Sequence, residues 1–113
     1  MSEHCLFCRI IQREVAAEIV AESENCLAFL DAFPEAPFHV LIVPKKHVSS
    51  LNDVTDAECV GALAMMAAQV AREGGVADSG YRTVINTNGN GGQSVFHLHL
   101  HVLGGRKLDW PPG

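Results

Sequence analysis

The longest regular pattern of apolar positions lies in the middle of the chain. In TDAECVGALAMMAAQVAREGG (55–75), Glu58, Gly61, Met65, Gln69 and Arg72 recur at helical spacing, and the residues between them are almost all Ala, Val, Leu and Met. This predicts a helix with one exposed stripe, packed on a sheet. Thr55 followed by Glu58 reads as a capping box, and Gly74 and Gly75 stop the helix. Shorter patterns flank it. CLFCRIIQREV (5–15) has Leu6, Phe7, Ile10 and Ile11 at helical spacing. AEIVAES (17–23) and NCLAFLD (25–31) read as strands joined by a tight turn, with Asp31 at the end of the second. FHVLIVP (38–44) and YRTVINT (81–87) are further strands, and FPEAP (33–37) is a loop. NGNGG (88–92) reads as a glycine-rich turn.

SVFHLHLHVLGG (94–105) is the most informative stretch. His97, His99 and His101 alternate with Leu98, Leu100 and Val102. Only a strand collects the three imidazoles on one face and the three aliphatic side chains on the other. The count is about five strands and two helices. Consecutive short strands with tight turns favour an α+β fold on a largely antiparallel sheet. The 113 residues suffice for one domain, 1–113, with a tail at 104–113.

Composition narrows the function. A net charge of −5 argues against binding a nucleic-acid polymer through a basic surface, but not against a small phosphorylated ligand held by local donors. No run approaches ~18 apolar residues, so no membrane span is expected, and the first twenty residues lack the apolar block of a signal peptide. A cytoplasmic, reducing location follows, where the pair Cys5-x-x-Cys8 suggests metal or redox chemistry. Cys26 and Cys59 read as small core residues.

A row of imidazoles admits a solvated face, a metal site or catalysis, since imidazole titrates near neutrality and serves as nucleophile, acid or base. NGNGGQS (88–94) leads into the row. Its glycines allow close backbone approach to an anion, and Ser94 adds a hydroxyl. The Walker pattern is absent. His39, at a strand start, reads as a sheet residue facing solvent or a second subunit, and His4 as exposed.

HLHLHVL, GGQSVFHLHLHVLGGR and the closing WPPG resemble the histidine-triad (HIT) family, and within it the nucleotide-binding branch of purine nucleoside phosphoramidases. FCRII, CLAFLDAFPEAPFHVLIVPKKH and GYRTVIN carry the likeness over nearly the whole chain. The resemblance implies a HIT-like fold, a five-stranded antiparallel sheet with two helices, in a homodimer whose sheets join. It implies hydrolysis of purine nucleoside 5′-phosphoramidates and acyl-nucleotides to the monophosphate. His99 would be the nucleophile, a nucleotidyl-histidine the intermediate, and His101 the partner on the phosphate or leaving group. Gly92, Gln93, Ser94 and Val95 would surround the phosphate, Asp31 and Asn86 the ribose, and Phe7 and Phe29 the purine. Trp110 would reach toward the other subunit's site. Ala32 stands where that branch carries a larger aliphatic residue, which leaves preference among purines open.

Some members of the family with this cysteine pair hold a structural zinc, which here implies Cys5, Cys8, His47 and His97 as ligands. Three other readings stay open: a dinucleoside-polyphosphate hydrolase of the same fold, a nucleotide-binding regulatory adaptor, and a zinc metalloenzyme using the triad as ligands.

Overall fold

A computed structural model describes residues 4–113. The order of elements is α1 (Leu6–Ile11), β1 (Ile19–Glu22), β2 (Cys26–Leu30), β3 (Phe38–Pro44), a 3-10 turn (Leu51–Asp53), α2 (Ala57–Glu73), β4 (Tyr81–Val84), α3 (Asn88–Gly91) and β5 (Leu100–Gly104). The strands form one antiparallel sheet in the order β1-β2-β3-β5-β4. The predicted α+β class and five-stranded antiparallel sheet are therefore observed, with a third, one-turn helix in addition.

Period-two alternation sorts the sheet into two cores. Cys26, Ala28, Val40, Ile42, Leu98, Leu100 and Val102 pack under α2 against Leu63, Met66, Ala67 and Val70. Leu27, Phe29, Leu41 and Val43 point to the other face and pack with α1 through Phe7, Cys8 and Ile10. β3 is apolar at nearly every position because both of its faces are covered. The three triad histidines stand on the α1 face, opposite Leu98, Leu100 and Val102.

Several boundaries differ from the sequence reading, each for a visible reason. The cap of α2 is Asp56, whose carboxylate accepts the Cys59 N–H at 2.8 Å; Thr55 lies one residue outside. The stripe at Glu58, Gly61, Met65, Gln69 and Arg72 is exposed as expected. Gly74 ends α2 where any Cβ would collide with the Phe38 ring. NGNGG is a helical turn closed by Gly92 in the left-handed region, at φ 83°.

The histidine stretch is only partly a strand. Ile42 pairs with Leu100, so extending the register would set Leu98 opposite Pro44, which has no N–H to offer. The ladder stops there, and the Leu98 N–H bonds the Val48 carbonyl at 2.7 Å instead. His97 and His99 thus precede β5 and are held by bonds of their own.

Candidate functional site: a Cys/His cluster and a cavity-lining imidazole meet at one histidine

His97 is fully buried. Its Nε2 donates to the Pro44 carbonyl at 2.8 Å, which leaves Nδ1 as a lone pair. That nitrogen lies 3.3 Å from Cys5 Sγ, 3.5 Å from Cys8 Sγ and 3.2 Å from His47 Nδ1. Cys8 Sγ lies 3.3 Å from His47 Nδ1. One ligand atom from each of the four side chains falls within 4.8 Å of every other. A zinc tetrahedron with nitrogens at about 2.0 Å and sulfurs at about 2.3 Å has edges of about 3.3–3.8 Å. Four edges of the cluster, 3.2–3.5 Å long, are close to these, and the Pro44 carbonyl supplies the outer bond that fixes a ligating imidazole. Cys5, Cys8, His47 and His97 fit a closed structural zinc. Burial pushes the His97 pKa down to about 4, the neutral form a ligand requires.

The carbonyl of the same residue sets up the next histidine. His99 Nδ1 lies 2.7 Å from the His97 oxygen. A carbonyl only accepts, so Nδ1 carries the proton and Nε2 keeps the lone pair. Burial lowers the His99 pKa and opposes loss of that lone pair to a proton. Phe7 packs edge-on against the His99 ring, centroids 5.0 Å apart, and against Phe29 at 5.5 Å, which fixes the ring's orientation.

His101 is governed from farther away. The Glu35 N–H donates to His39 Nδ1 at 3.0 Å, so His39 carries its proton on Nε2. That nitrogen is 2.9 Å from His101 Nδ1 and 3.4 Å from Asp31 Oδ2. His101 therefore accepts at Nδ1 and presents Nε2–H. Burial outweighs the nearby Asp31 carboxylate and keeps His39 neutral. Asp31, His39 and His101 are close enough to hold an ion, but the proton fixed on His39 Nε2 occupies the position a metal would need. The trio is a hydrogen-bond chain. Burial, then His99 and His39, push the His101 pKa down to about 4.

His39 was expected to face solvent or a second subunit; it is 4 % exposed and sits behind the site. The available signal was its parity with Leu41 and Val43, which places it on the α1 face of a strand that pairs with the histidine strand. Removing it has a measurable consequence. His39→Ala takes away the donor that fixes the His101 ring among the described residues. In the same variant, NMR titration of the His101 ring shows its midpoint rising from about 4 toward 6.5, since His39 is one of the groups that lower it, with His99 and Asp31 still facing the ring. The sign carries to stability. A histidine neutral in the fold but protonated near 6.5 when unfolded leaves stability whole above 6.5, and stability declines as pH falls from there to about 4. A His101 midpoint unchanged by His39→Ala would refute the chain.

A cavity of about 470 Å³ opens over these rings. Seven of the predicted site residues line it: Phe7, Phe29, Asp31, Ser94, Val95, His99 and His101. Four do not. Gln93 is buried and committed elsewhere, its amide donating to the Ser49 and Val95 carbonyls at 2.7 and 3.1 Å and accepting from the Asn88 N–H. It shapes the loop rather than touching a ligand. Asn86 is half-buried away from the cavity, and Gly92 closes α3. Trp110 is 80 % exposed on a tail held by Arg82, whose guanidinium donates to the Asp109 carbonyl at 2.9 Å and sits over the indole. Cys26 is buried in the α2 core, and Cys59 is half-buried beside it.

A sequence profile of the HIT domain matches residues 12–108. The chain belongs to the HIT family. It is 48% identical to an uncharacterized HIT-like protein of Synechococcus elongatus and 49% identical to one of Synechocystis, each over the whole of both chains. Among solved structures, a HIT family hydrolase from Legionella pneumophila shares 49% identity, covers 97% of this chain and 100% of its own, and superposes with a TM-score of 0.94. A Zn-bound histidine triad family protein from Mycobacterium smegmatis shares 36% identity over 95% of this chain and 78% of its own, with a TM-score of 0.82. This HIT protein thus has the fold of HIT family hydrolases. No helix among its described residues is long and apolar enough to cross a membrane.

Proposed function

We propose that this HIT protein hydrolyses purine nucleoside 5′-phosphoramidates and acyl-nucleotides to the nucleoside monophosphate, with His99 as nucleophile. The observation that carries the reading is the 2.7 Å bond from His99 Nδ1 to the His97 carbonyl, which reserves the other ring nitrogen of a cavity-lining histidine for attack. His99 Nε2 bonds to the α-phosphorus and the P–N or P–O bond of the leaving group breaks. The electron pair departs with the amine or the carboxylate, and a departing amine takes its proton from water while the His101 Nε2–H hydrogen-bonds the phosphate. Water then attacks the phosphorus, the P–Nε2 bond breaks, and the monophosphate leaves. An N-linked phosphoryl group on imidazole is labile, so the intermediate is no trap. Its imidazolium lies in a buried site that disfavours the charge, which speeds the second step.

Ser94, Val95 and the His101 Nε2–H serve the phosphate, and Gly92 and Gln93 hold the loop that carries Ser94 and Val95. Asp31 serves the ribose, with Asn86 behind it, and Phe7 and Phe29 wall the base. Cys5, Cys8, His47 and His97 hold a structural zinc that ties α1 to the sheet. The protein works in the cytoplasm as a homodimer in which β4, an edge strand, joins the two sheets and Trp110 reaches the neighbouring site.

The test is direct. Incubation with adenosine 5′-phosphoramidate releases adenosine monophosphate and ammonia one to one, and rapid acid-free quenching followed by peptide mass spectrometry finds adenylyl on the His99 peptide. Monophosphate release with the adduct on no histidine would overturn the mechanism, and no release would overturn the substrate.

A further inference from the structure

The loop between β2 and β3 carries an aromatic ring that the fold does not use. Phe33 is 84 % exposed, the most exposed large apolar side chain among the described residues, yet it lines the same cavity as His99 and His101. The loop around it is tied down. The Asp31 N–H bonds the His39 carbonyl at 3.0 Å, and Asp31 Oδ1 accepts the Phe33 N–H at 2.9 Å. The Glu35 N–H is held by His39, and the Glu35 carbonyl accepts from Arg106 at 3.1 Å. Pro34 and Pro37 further restrict the backbone. The ring is displayed on a fixed platform at the cavity mouth.

We propose that Phe33 is the stacking wall for the substrate's base, an inference that rests on the nucleotide reading above. The polar groups of the cavity define a direction: His99, His101 and Ser94 at the phosphate end, Asp31 at the ribose, and apolar side chains beyond. Phe33 lies two residues past Asp31, and the Asp31 carboxylate that would meet the ribose also pins the Phe33 backbone. A base seated beyond the ribose lies against Phe29 and Phe7 on its inner side and has the Phe33 ring available on its outer side. Stacking covers a ring face that water now covers, and the bonded backbone of the loop loses little freedom on binding. A purine, with the larger face, gains more than a pyrimidine, so Phe33 sets base preference without touching the reacting atoms.

The experiment measures adenosine monophosphate binding by calorimetry and turnover of adenosine and cytidine 5′-phosphoramidates, in wild type, Phe33→Ala, Phe33→Leu and Phe33→Trp. Phe33→Ala is expected to raise the monophosphate Kd and the adenosine KM about 10-fold, with kcat changed far less, as loss of uniform binding requires. The cytidine KM rises less. Phe33→Trp binds about as tightly as wild type, and Phe33→Leu, apolar but without a π-face, falls between. Being exposed, the position leaves the melting temperature unchanged, so the variants report binding. An unchanged Kd in Phe33→Ala, or equal losses for adenosine and cytidine, overturns the stacking wall while turnover by wild type upholds the hydrolase reading. Tight monophosphate binding that weakens in Phe33→Ala, with no turnover by wild type, upholds the wall and overturns the reaction.

Discussion

His99→Ala is expected to lower the turnover of a nucleoside phosphoramidate at least about 10³-fold, while monophosphate binding stays within about threefold of wild type. The size follows from what the ring supplies. In the proposed reaction a nitrogen lone pair in the cavity splits hydrolysis into two displacements, and no other described histidine of the triad offers one there. His101 lines the same cavity but spends its lone-pair nitrogen on His39. His97 spends one nitrogen on Pro44 and turns the other toward Cys5, Cys8 and His47. A water molecule in the space left by the imidazole could attack directly, and the remaining donors would still assist it, which sets the floor of residual activity. Binding survives because the proposed contacts to phosphate, ribose and base come from other groups. Near-normal turnover in His99→Ala would exclude a covalent step and leave direct hydrolysis.

Cys8→Ser is expected to release zinc and to lower the melting temperature by about 8 °C or more, corresponding to a loss of at least about 2 kcal/mol in a domain of this size. Free energy of zinc binding to a closed site is free energy of folding, because the unfolded chain does not present the ligands together. Here the ligands come from α1, the segment after β3 and the approach to β5. α1 is a six-residue helix, too short to persist alone. Its hold on the sheet consists of Phe7, Cys8 and Ile10 in the core plus this cluster. Cys8 is also 1 % exposed, so a serine hydroxyl there is a buried polar group in place of a ligand. Metal analysis by mass spectrometry and thermal denaturation with and without chelator check both parts. A wild type whose melting temperature and metal content ignore a strong chelator under partly unfolding conditions would refute a structural zinc. The hydrolytic rate should fall only with the folded fraction, which separates this site from the nucleophile's.

Much of this arrangement could be read from residue order. The parity of HLHLHVL assigned Leu98, Leu100 and Val102 to one core and the histidines to the other face, and the stripe on α2 emerged at the predicted positions. Parity survives even where the ladder does not, because side chains still alternate along an extended backbone. What could not be read depends on which main-chain group meets which ring. Parity in FHVLIVP sets His39 on the same face as Leu41 and Val43, but nothing in it shows a ring clamped between the Glu35 N–H and His101. Gln93 sits in a run that resembles a phosphate loop, yet its amide is consumed by Ser49, Val95 and Asn88. Asp56 took the cap from Thr55 because a one-residue shift of the helix start is nearly isoenergetic in sequence terms.

The bond between the His97 carbonyl and His99 has a consequence for how this site tolerates change. The atom that selects the His99 tautomer belongs to the main chain, so no amino-acid replacement at position 97 can delete it. A side-chain scan would record position 97 as a matter of metal and stability alone, and the site would look simpler than it is. Mutation can therefore reshape the metal cluster, or remove it, without rewriting the chemistry next door, provided the backbone keeps its path. Two roles with different tolerances meet in one residue, one written in its side chain and replaceable at a cost in stability, the other in its peptide unit and fixed by the fold.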